Sequence, residues 1–224
     1  MILVVIGVRR TLHNDNVGGR ATVDELIYRI KEQFEQRSHI AHGFDHVERV
    51  AKIAHYIAQH ESFDSDIAEV AGYLHDIGRT VQEEEKDHGP AGVEPARRLL
   101  DEFSPYDDAT KKQILKAIRD HSLLETEGGL THIVQDADML DGMGFIGIMR
   151  AYTSKFDLPC YDASNIAPTK GKRNATIHEQ IAFQMEWVDF MHTDTAKKIA
   201  RLRYQKMQEF LQGFEQEVLG NDFS

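Results

Sequence analysis

The sequence predicts an almost entirely α-helical fold, and three features of the chain support this prediction. Apolar residues recur at the three- and four-residue spacing of amphipathic helices along most of the 224 residues. No stretch shows the alternation of apolar and polar residues that is typical of half-buried strands. Hydrophobic residues make up 41% of the chain, and the low content of 5 prolines and 16 glycines suits a chain with a sizeable helical core.

Capping signals and apolar spacing together predict eight helices in order along the chain. Thr22 and Glu25 form a capping-box pattern at the start of the first helix. Gly78 suits the end of the third helix, and Asp108 is a suitable N-cap for the fifth. The predicted helices cover approximately 22–36, 45–60, 66–77, 90–103, 108–121, 130–152, 176–191 and 194–219.

The helices are predicted to belong to one domain that covers residues 21–224, including the two C-terminal helices. Residues 1–20 are left without an assigned function, because their apolar start lacks the basic segment that precedes the core of a signal peptide. Residues 157–175 mix proline, glycine, asparagine and lysine, which predicts a long loop of the kind that often forms a lid. Whether the last helix packs on its own core or on a second copy stays open.

Composition and charge exclude several classes of function. The net charge of −11 disfavours a polymeric nucleic-acid partner, although a small phosphorylated substrate remains compatible if a metal ion dominates the local field. The single cysteine, Cys160, cannot form an internal disulfide or a thiolate metal cage. No apolar run approaches the roughly 20 residues of a membrane span. We therefore expect a cytoplasmic protein that is not bound to a membrane.

Polar side chains of metal-binding type occur where the helical pattern predicts burial. His46 continues the apolar stripe of the second helix, and the pair His75-Asp76 ends the apolar face of the third. Asp138 lies within an apolar part of the sixth helix. Because buried imidazoles and carboxylates need partners, these helices are predicted to bring the four side chains to one metal ion. A set of two imidazoles and two carboxylates suits Mn, Fe, Co, Ni or Zn, and Mg is also considered.

The chain resembles the HD superfamily of metal-dependent phosphohydrolases, in particular a branch of small stand-alone bacterial hydrolases that includes nucleotide pyrophosphatases. The resemblance extends from about residue 22 to residue 219. Its main motifs are Asp45-His46-x-x-Arg49-Val50, Leu74-His75-Asp76-Ile77-Gly78, Asp136-Ala137-Asp138-x-Leu140-Asp141 and Gly144-x-Ile146-Gly147-x-x-Arg150.

This resemblance implies a helical bundle with a divalent metal at its centre, and His46, His75, Asp76 and Asp138 match the ligand positions of the family. Asp136 is a less favoured alternative to Asp138, because it faces another side of its helix. The implied reaction is hydrolysis of a phosphate ester or anhydride, in a small nucleotide, by a metal-activated water that Asp76 orients. Cyclic-nucleotide or signalling-nucleotide phosphodiesterase activity and a non-catalytic module that binds metal or nucleotide are the alternatives.

Further polar residues are candidates for roles around this metal. His88 and His121 lie between the His-Asp pair and the last aspartate, where they could hold a second metal, contact phosphate or serve the structure. Arg49 and Arg79 are candidate catalytic residues that stabilise phosphate charge, and a structural ion pair is the alternative for Arg49. The remaining candidates for substrate contact are His42, Arg150, Lys170, Lys172, Arg173 and His178.

Overall fold

The computed structural model describes residues 17–36, 42–81, 88–167 and 173–223, and the predicted all-α fold class is confirmed over these residues. None of the described helices combines the length and the apolar character that crossing a bilayer requires. In chain order the helices are α1 (Val17–Glu35), α2 (Phe44–His60), α3 (Ser65–Leu74), a 3-10 helix (Ile77–Thr80), α4 (His88–Phe103), α5 (Asp108–Asp120), α6 (Leu130–Asp141), α7 (Gly144–Ser154), α8 (Ile177–Met185), a second 3-10 helix (Glu186–Phe190) and α9 (Asp194–Leu219).

Helices α2, α3 and α6 form the centre of the molecule and pack directly against one another. Helices α4 and α5 pack together beside them. Helices α7, α8 and α9 form a second group, in which α7 and α9 both contact α6. The core consists of aliphatic side chains at helical spacing, such as Val47, Val50 and Ala54 on α2, which are all fully buried. Burial of this apolar surface is the main force that holds the helices together.

The third predicted helix ends earlier than its sequence suggested. Helix α3 stops at Leu74, and His75 and Asp76 form a short turn before the 3-10 helix. Adjacent side chains on a regular α-helix point about 100° apart, because the helix has 3.6 residues per turn. In the turn, Nε2 of His75 nevertheless lies 3.7 Å from Oδ2 of Asp76, so the two side chains reach the same cluster.

The predicted helix over 130–152 is two helices, which corrects the interpretation of this stretch as continuous. Helix α6 ends at Asp141, and Gly144 begins α7 with a φ of 71°, in the left-handed region that favours glycine. The break also changes the environment of Phe145, which a continuous helix would place on the same face as Asp138 and which is 63% exposed. The apolar run that suggested one helix therefore belongs to two helices, whose apolar residues lie on different faces.

Three capping and boundary predictions also need correction. Helix α1 begins at Val17, so Thr22 lies within the helix and does not cap it. The side chain of Asp107, not Asp108, caps α5 by accepting a hydrogen bond from the amide of Thr110. The helix expected over 176–191 is α8 followed by a 3-10 helix, with Thr176 as the N-cap of α8.

Gly78 allows α4 to begin against the end of α3, and this contact yields a stability prediction. A Cβ atom at Gly78 would lie 1.8 Å from the carbonyl oxygen of His88 and 2.7 Å from the amide nitrogen of Gly92. Because backbone atoms cannot move aside as a flexible side chain can, we expect Gly78→Ala to lower the free energy of unfolding by about 1–3 kcal/mol. Denaturant titration followed by circular dichroism measures this change.

Gly213, within α9, provides the matched control. Nothing lies within 4 Å of a Cβ atom built there, so Gly213→Ala should stabilise the protein by about 0.5–1 kcal/mol through helix propensity alone. Equal stability of Gly78→Ala and the unmodified protein would show that the close contact is not required.

Candidate metal centre

Three helices contribute the four predicted metal-binding side chains to one buried cluster. His46 lies in the first turn of α2, His75 and Asp76 follow α3, and Asp138 lies in the last turn of α6. The residues His46, His75 and Asp76 are at most 1% exposed. The side chain of Asp138 is 35% exposed, so it forms the side of the cluster that faces solvent.

The donor atoms of these residues are spaced as ligands of one ion. The Nε2 atoms of His46 and His75 lie 3.4 Å and 3.9 Å from Oδ1 of Asp138. The same nitrogens lie 3.6 Å and 3.7 Å from Oδ2 of Asp76. Four donors placed 2.1 Å from an ion at the corners of a tetrahedron are about 3.4 Å apart. These four separations match this spacing or exceed it slightly, and donor atoms of His46, His75 and Asp138 all lie within 4.8 Å of one another.

Backbone and carboxylate acceptors fix which imidazole nitrogen faces the cluster. Nδ1 of His75 donates to the carbonyl oxygen of Gly72 at 2.7 Å, and Nδ1 of His46 donates to Oδ2 of Asp141 at 2.8 Å. Burial lowers the pKa of His75 to about 4, so its Nε2 carries a free electron pair at neutral pH. The Nε2 atoms of both residues are buried and have no hydrogen-bond partner. A cation satisfies both nitrogens at once, so the residues present fit a divalent metal.

Asp76 has different neighbours at its two carboxylate oxygens. Oδ2 faces His46 and His75 and accepts a hydrogen bond of 2.8 Å from Nδ1 of His42. Oδ1 lies 2.8 Å from Nε of Arg79. Burial favours the protonated form of Asp76, but the electrostatic interaction with His75 and the hydrogen bonds from neighbouring histidines outweigh it, and the pKa of Asp76 lies well below its ordinary value. The carboxylate is therefore ionised at neutral pH.

His88 and His121 adjoin the Oδ1 side of Asp76. Their Nε2 atoms are 3.0 Å apart and lie 3.3 Å and 3.7 Å from Oδ1 of Asp76. Nδ1 of His121 donates to the carbonyl oxygen of Ile118 at 2.7 Å, which directs its Nε2 toward Asp76. A nitrogen of Arg79 lies 3.4 Å from Nε2 of His88. The two histidines therefore belong to the same cluster as the predicted ligands.

Arg49 and Arg150 are joined to the cluster through Asp141, a residue to which the sequence gave no role. Nε of Arg49 donates to Oδ1 of Asp141 at 2.7 Å, and NH2 donates to Oδ2 at 3.1 Å. NH1 of Arg150 donates to the same Oδ2 at 3.0 Å. Arg49 also donates to Asp45 at 2.7 Å, so it forms the ion pairs that were the alternative to phosphate contact. The spacing of Asp141 three residues after Asp138 was the signal that could have identified it.

Asp136, the less favoured ligand candidate, has a separate structural role. It is fully buried and accepts hydrogen bonds from the amides of His192 and Thr193, each at 2.8 Å. Its Oδ2 also accepts a hydrogen bond of 2.7 Å from the hydroxyl of Thr193, the N-cap of α9. Asp136 therefore connects α6 to the start of α9 on a different side of the helix from Asp138.

The other candidates for substrate contact have no described contact with the cluster. The guanidinium of Arg173 lies over the ring of Phe183 on α8, at 5.5 Å from its centroid. His178 is buried beside the ring of Phe214 on α9, with a centroid separation of 5.3 Å. Lys170 and Lys172 lie outside the described residues. A role for these four residues in substrate binding stays a prediction.

The fold and the cluster define a class of protein, which comparison with known proteins identifies. Residues 43–143 match the family model of the HD domain, and they include the four predicted ligands. This part of the chain is therefore similar to the HD domain family, and the resemblance to the HD superfamily is confirmed.

Full-length relatives extend this similarity beyond the HD domain. YpgQ of Bacillus subtilis is 29% identical over 198 residues, which cover 81% of this chain and 86% of YpgQ. An HD-superfamily hydrolase of Bacillus thuringiensis has a TM-score of 0.71 at 26% identity, over 89% of this chain and 97% of the other. A predicted HD superfamily hydrolase of an uncultured Thermotogales bacterium has a TM-score of 0.65 at 28% identity, over 87% and 92% of the two chains. The chain is thus similar to hydrolases over most of its length.

The different surroundings of Asp136 and Asp138 predict different effects of their replacement. Asp136→Ala leaves three donors near the start of α9 without their acceptor, so we expect the free energy of unfolding to fall by about 1–3 kcal/mol. Its metal content after saturation with Mn²⁺ and desalting should equal that of the unmodified protein. Asp138→Ala should lose most of the metal. Loss of metal in Asp136→Ala at full helicity would reverse the two assignments.

Proposed function

We propose that this chain is a metal-dependent hydrolase that cleaves a phosphate ester or anhydride bond in a small nucleotide. One observation supports this proposal more directly than any other. The Nε2 atoms of His46 and His75 are buried without hydrogen-bond partners and converge on an oxygen of Asp138. Buried polar atoms without partners are energetically unfavourable, so this geometry supports a function in which a cation binds between the two nitrogens.

In the proposed site, His46, His75, Asp76 and Asp138 hold one divalent ion. The two carboxylates provide the negative charge that balances such a cation in a buried position. The mixed nitrogen and oxygen donors are compatible with Mn, Fe, Co, Ni, Zn or Mg. When bound, the ion would lower the pKa of a coordinated water toward about 7 and polarise a phosphoryl oxygen.

The protein's own groups perform the remaining tasks. Asp76 has a low pKa, so it acts as a hydrogen-bond acceptor that orients the attacking water and not as a strong base. Arg79 lies 2.8 Å from Asp76 and can donate from its remaining nitrogens to phosphoryl oxygens. Asp138 forms the partly exposed side of the cluster, which supports substrate entry from that direction.

Three further observations support a nucleotide as the substrate. A crystal structure of YpgQ contains ADP, and YpgQ in that structure shares the fold of this chain with a TM-score of 0.67 at 22% identity, over 87% of this chain and 97% of YpgQ. The net charge of −11 favours a small phosphorylated molecule over a nucleic-acid polymer, whose many phosphates the surface would repel. The sequence resemblance to a branch with nucleotide pyrophosphatases points to the same class.

Replacement of Asp76 tests the proposed chemistry. We expect Asp76→Asn to reduce kcat by at least about 10²–10⁴-fold, since it removes a negative ligand and the acceptor for the attacking water. The assay supplies a panel of nucleoside mono-, di- and triphosphates and cyclic nucleotides with Mn²⁺, Co²⁺, Ni²⁺ or Mg²⁺. Asp66→Asn is the matched control, because the side chain of Asp66 is 83% exposed and lies outside the cluster.

The products distinguish the possible activities. Pyrophosphate released from a triphosphate identifies a pyrophosphatase, orthophosphate identifies a phosphatase, and an opened cyclic nucleotide identifies a phosphodiesterase. Metal-loaded protein that releases no product from any substrate in the panel would contradict the enzyme proposal and favour a non-catalytic binding module.

The number of metal ions bound per chain tests whether His88 and His121 bind a second metal or contact phosphate. Their nitrogens and Oδ1 of Asp76 are 3.0–3.7 Å apart, a spacing that suits a second ion. The guanidinium of Arg79 next to the same oxygen instead favours an anion, such as a substrate phosphate. Two ions per chain that fall to one in His121→Ala would identify a second metal site. One ion in both proteins, with a higher KM in the variant, would identify phosphate contact.

A further inference from the structure

We infer that Asp141 is a positioning residue of the metal centre, which fixes the orientation of His46 and joins it to Arg49 and Arg150. The inference rests on the proposed metal site, and it assigns a role to a residue that contacts none of the proposed reacting groups. Asp141 follows Asp138 by three residues, at the end of α6. It is 1% exposed, so its charge is removed almost completely from water.

The hydrogen bonds of Asp141 explain why a buried carboxylate is stable at this position. Oδ1 accepts from Nε of Arg49, while Oδ2 accepts from Nδ1 of His46, from NH2 of Arg49 and from NH1 of Arg150, all at 2.7–3.1 Å. Four donors therefore use both oxygens of one carboxylate. Such charge-assisted bonds offset the cost of burial and hold the three donor side chains in one arrangement.

The bond to His46 determines which of its nitrogens can bind a cation. An ionised carboxylate only accepts hydrogen bonds, so Nδ1 of His46 must carry the hydrogen. Nε2 is then the nitrogen available to the ion, and it is the atom that lies 3.4 Å from Asp138 and 3.6 Å from Asp76. His75 receives the same support from the carbonyl of Gly72. Each of the two imidazoles thus has its own buried acceptor behind it.

The two arginines make Asp141 more than a support for one histidine. Arg49 lies on α2 one turn after His46, and Arg150 lies on α7 beyond the break after α6. Asp141 therefore connects three helices through a single carboxylate. An amide cannot replace it, because asparagine has only one oxygen and its nitrogen would face a donor from Arg49, His46 or Arg150.

We expect Asp141→Asn to weaken Mn²⁺ binding by about 10–100-fold, the usual effect of removing the partner of a metal-binding histidine. Titration of Mn²⁺ followed by the electron paramagnetic resonance signal of the free ion measures the affinity without any assay of activity. Circular dichroism shows whether the variant is folded. A folded variant that binds Mn²⁺ as tightly as the unmodified protein would overturn the inference.

Two matched variants separate positioning of His46 from general effects of charge. Asp101→Asn removes a carboxylate that lies outside the cluster, 2.8 Å from Nζ of Lys111, and it should leave Mn²⁺ affinity unchanged. Arg49→Gln removes a donor to Asp141 but keeps the bond to His46, so its effect on Mn²⁺ affinity should be smaller than that of Asp141→Asn. An equal loss of affinity in Arg49→Gln would assign the effect to the arginine.

Nuclear magnetic resonance of the unmodified protein tests the inference even if Asp141→Asn does not fold. In ¹⁵N-labelled protein loaded with Zn²⁺, we expect a proton on Nδ1 of His46 and none on Nε2. Zinc bound through Nδ1 would contradict the assignment. Absence of Mn²⁺ and Zn²⁺ binding by the unmodified protein would instead refute the proposed metal site itself, so the two failures are distinguishable.

Activity gives a further readout that a purely structural role would not produce. If Asp141 acts through metal retention, excess Mn²⁺ should restore most of the kcat of Asp141→Asn toward whichever nucleotide the unmodified protein hydrolyses. A deficit in kcat that persists at saturating Mn²⁺ would mean that Asp141 does more than position the metal ligand.

Discussion

The fold is organised around the electrostatic cost of a buried carboxylate, Asp76, at the junction of helices α2, α3 and α6. An ionised carboxylate at 1% exposure is stable only if positive charge or hydrogen-bond donors surround it. His42 and Arg79 each approach to 2.8 Å, on different oxygens. Two imidazole nitrogens without partners complete the surroundings. These groups satisfy the carboxylate only in part, so a cation is the natural completion of the cluster.

Local backbone geometry makes this cluster possible. Helix α3 stops at Leu74, and His75 and Asp76 follow it in a turn in which Nε2 of His75 lies 3.7 Å from Oδ2 of Asp76. The lack of a side chain at Gly78 then allows the start of α4, and with it His88, to approach the same turn. The position of the site is therefore set by where helices end as much as by how their faces pack.

The sequence was sufficient for the fold class and for the side chains that meet in the central cluster, because helical periodicity reveals a polar residue such as His46 on an apolar face. It was insufficient where the outcome depends on tertiary contacts. The apolar run across Gly142 resembles one helix, and only packing shows the break that begins α7. The spacing around Asp136 and Asp138 suggested which faces the core, but the bonds that connect Asp136 to the start of α9 depend on Thr193, which is distant in sequence. Asp141 was missed for the same reason, since its partners lie on α2 and α7.

The charges of the cluster would allow an acidic protein to attract the phosphate of the proposed substrate. Without the histidines and the exposed Asp45, the described contacts join six charged side chains. They are the carboxylates of Asp76, Asp138 and Asp141 and the guanidiniums of Arg49, Arg79 and Arg150. Because these six charges cancel, a divalent cation would leave the site with a local charge of about +2 in surroundings of low polarity. Substrate phosphate then meets an attractive field close to the cluster, whereas the remaining surface, which gives the chain its net charge of −11, repels long anionic polymers. The charge balance depends on Asp141. Without its negative charge, the positive charges of Arg49 and Arg150 would oppose the binding of a cation in the same region.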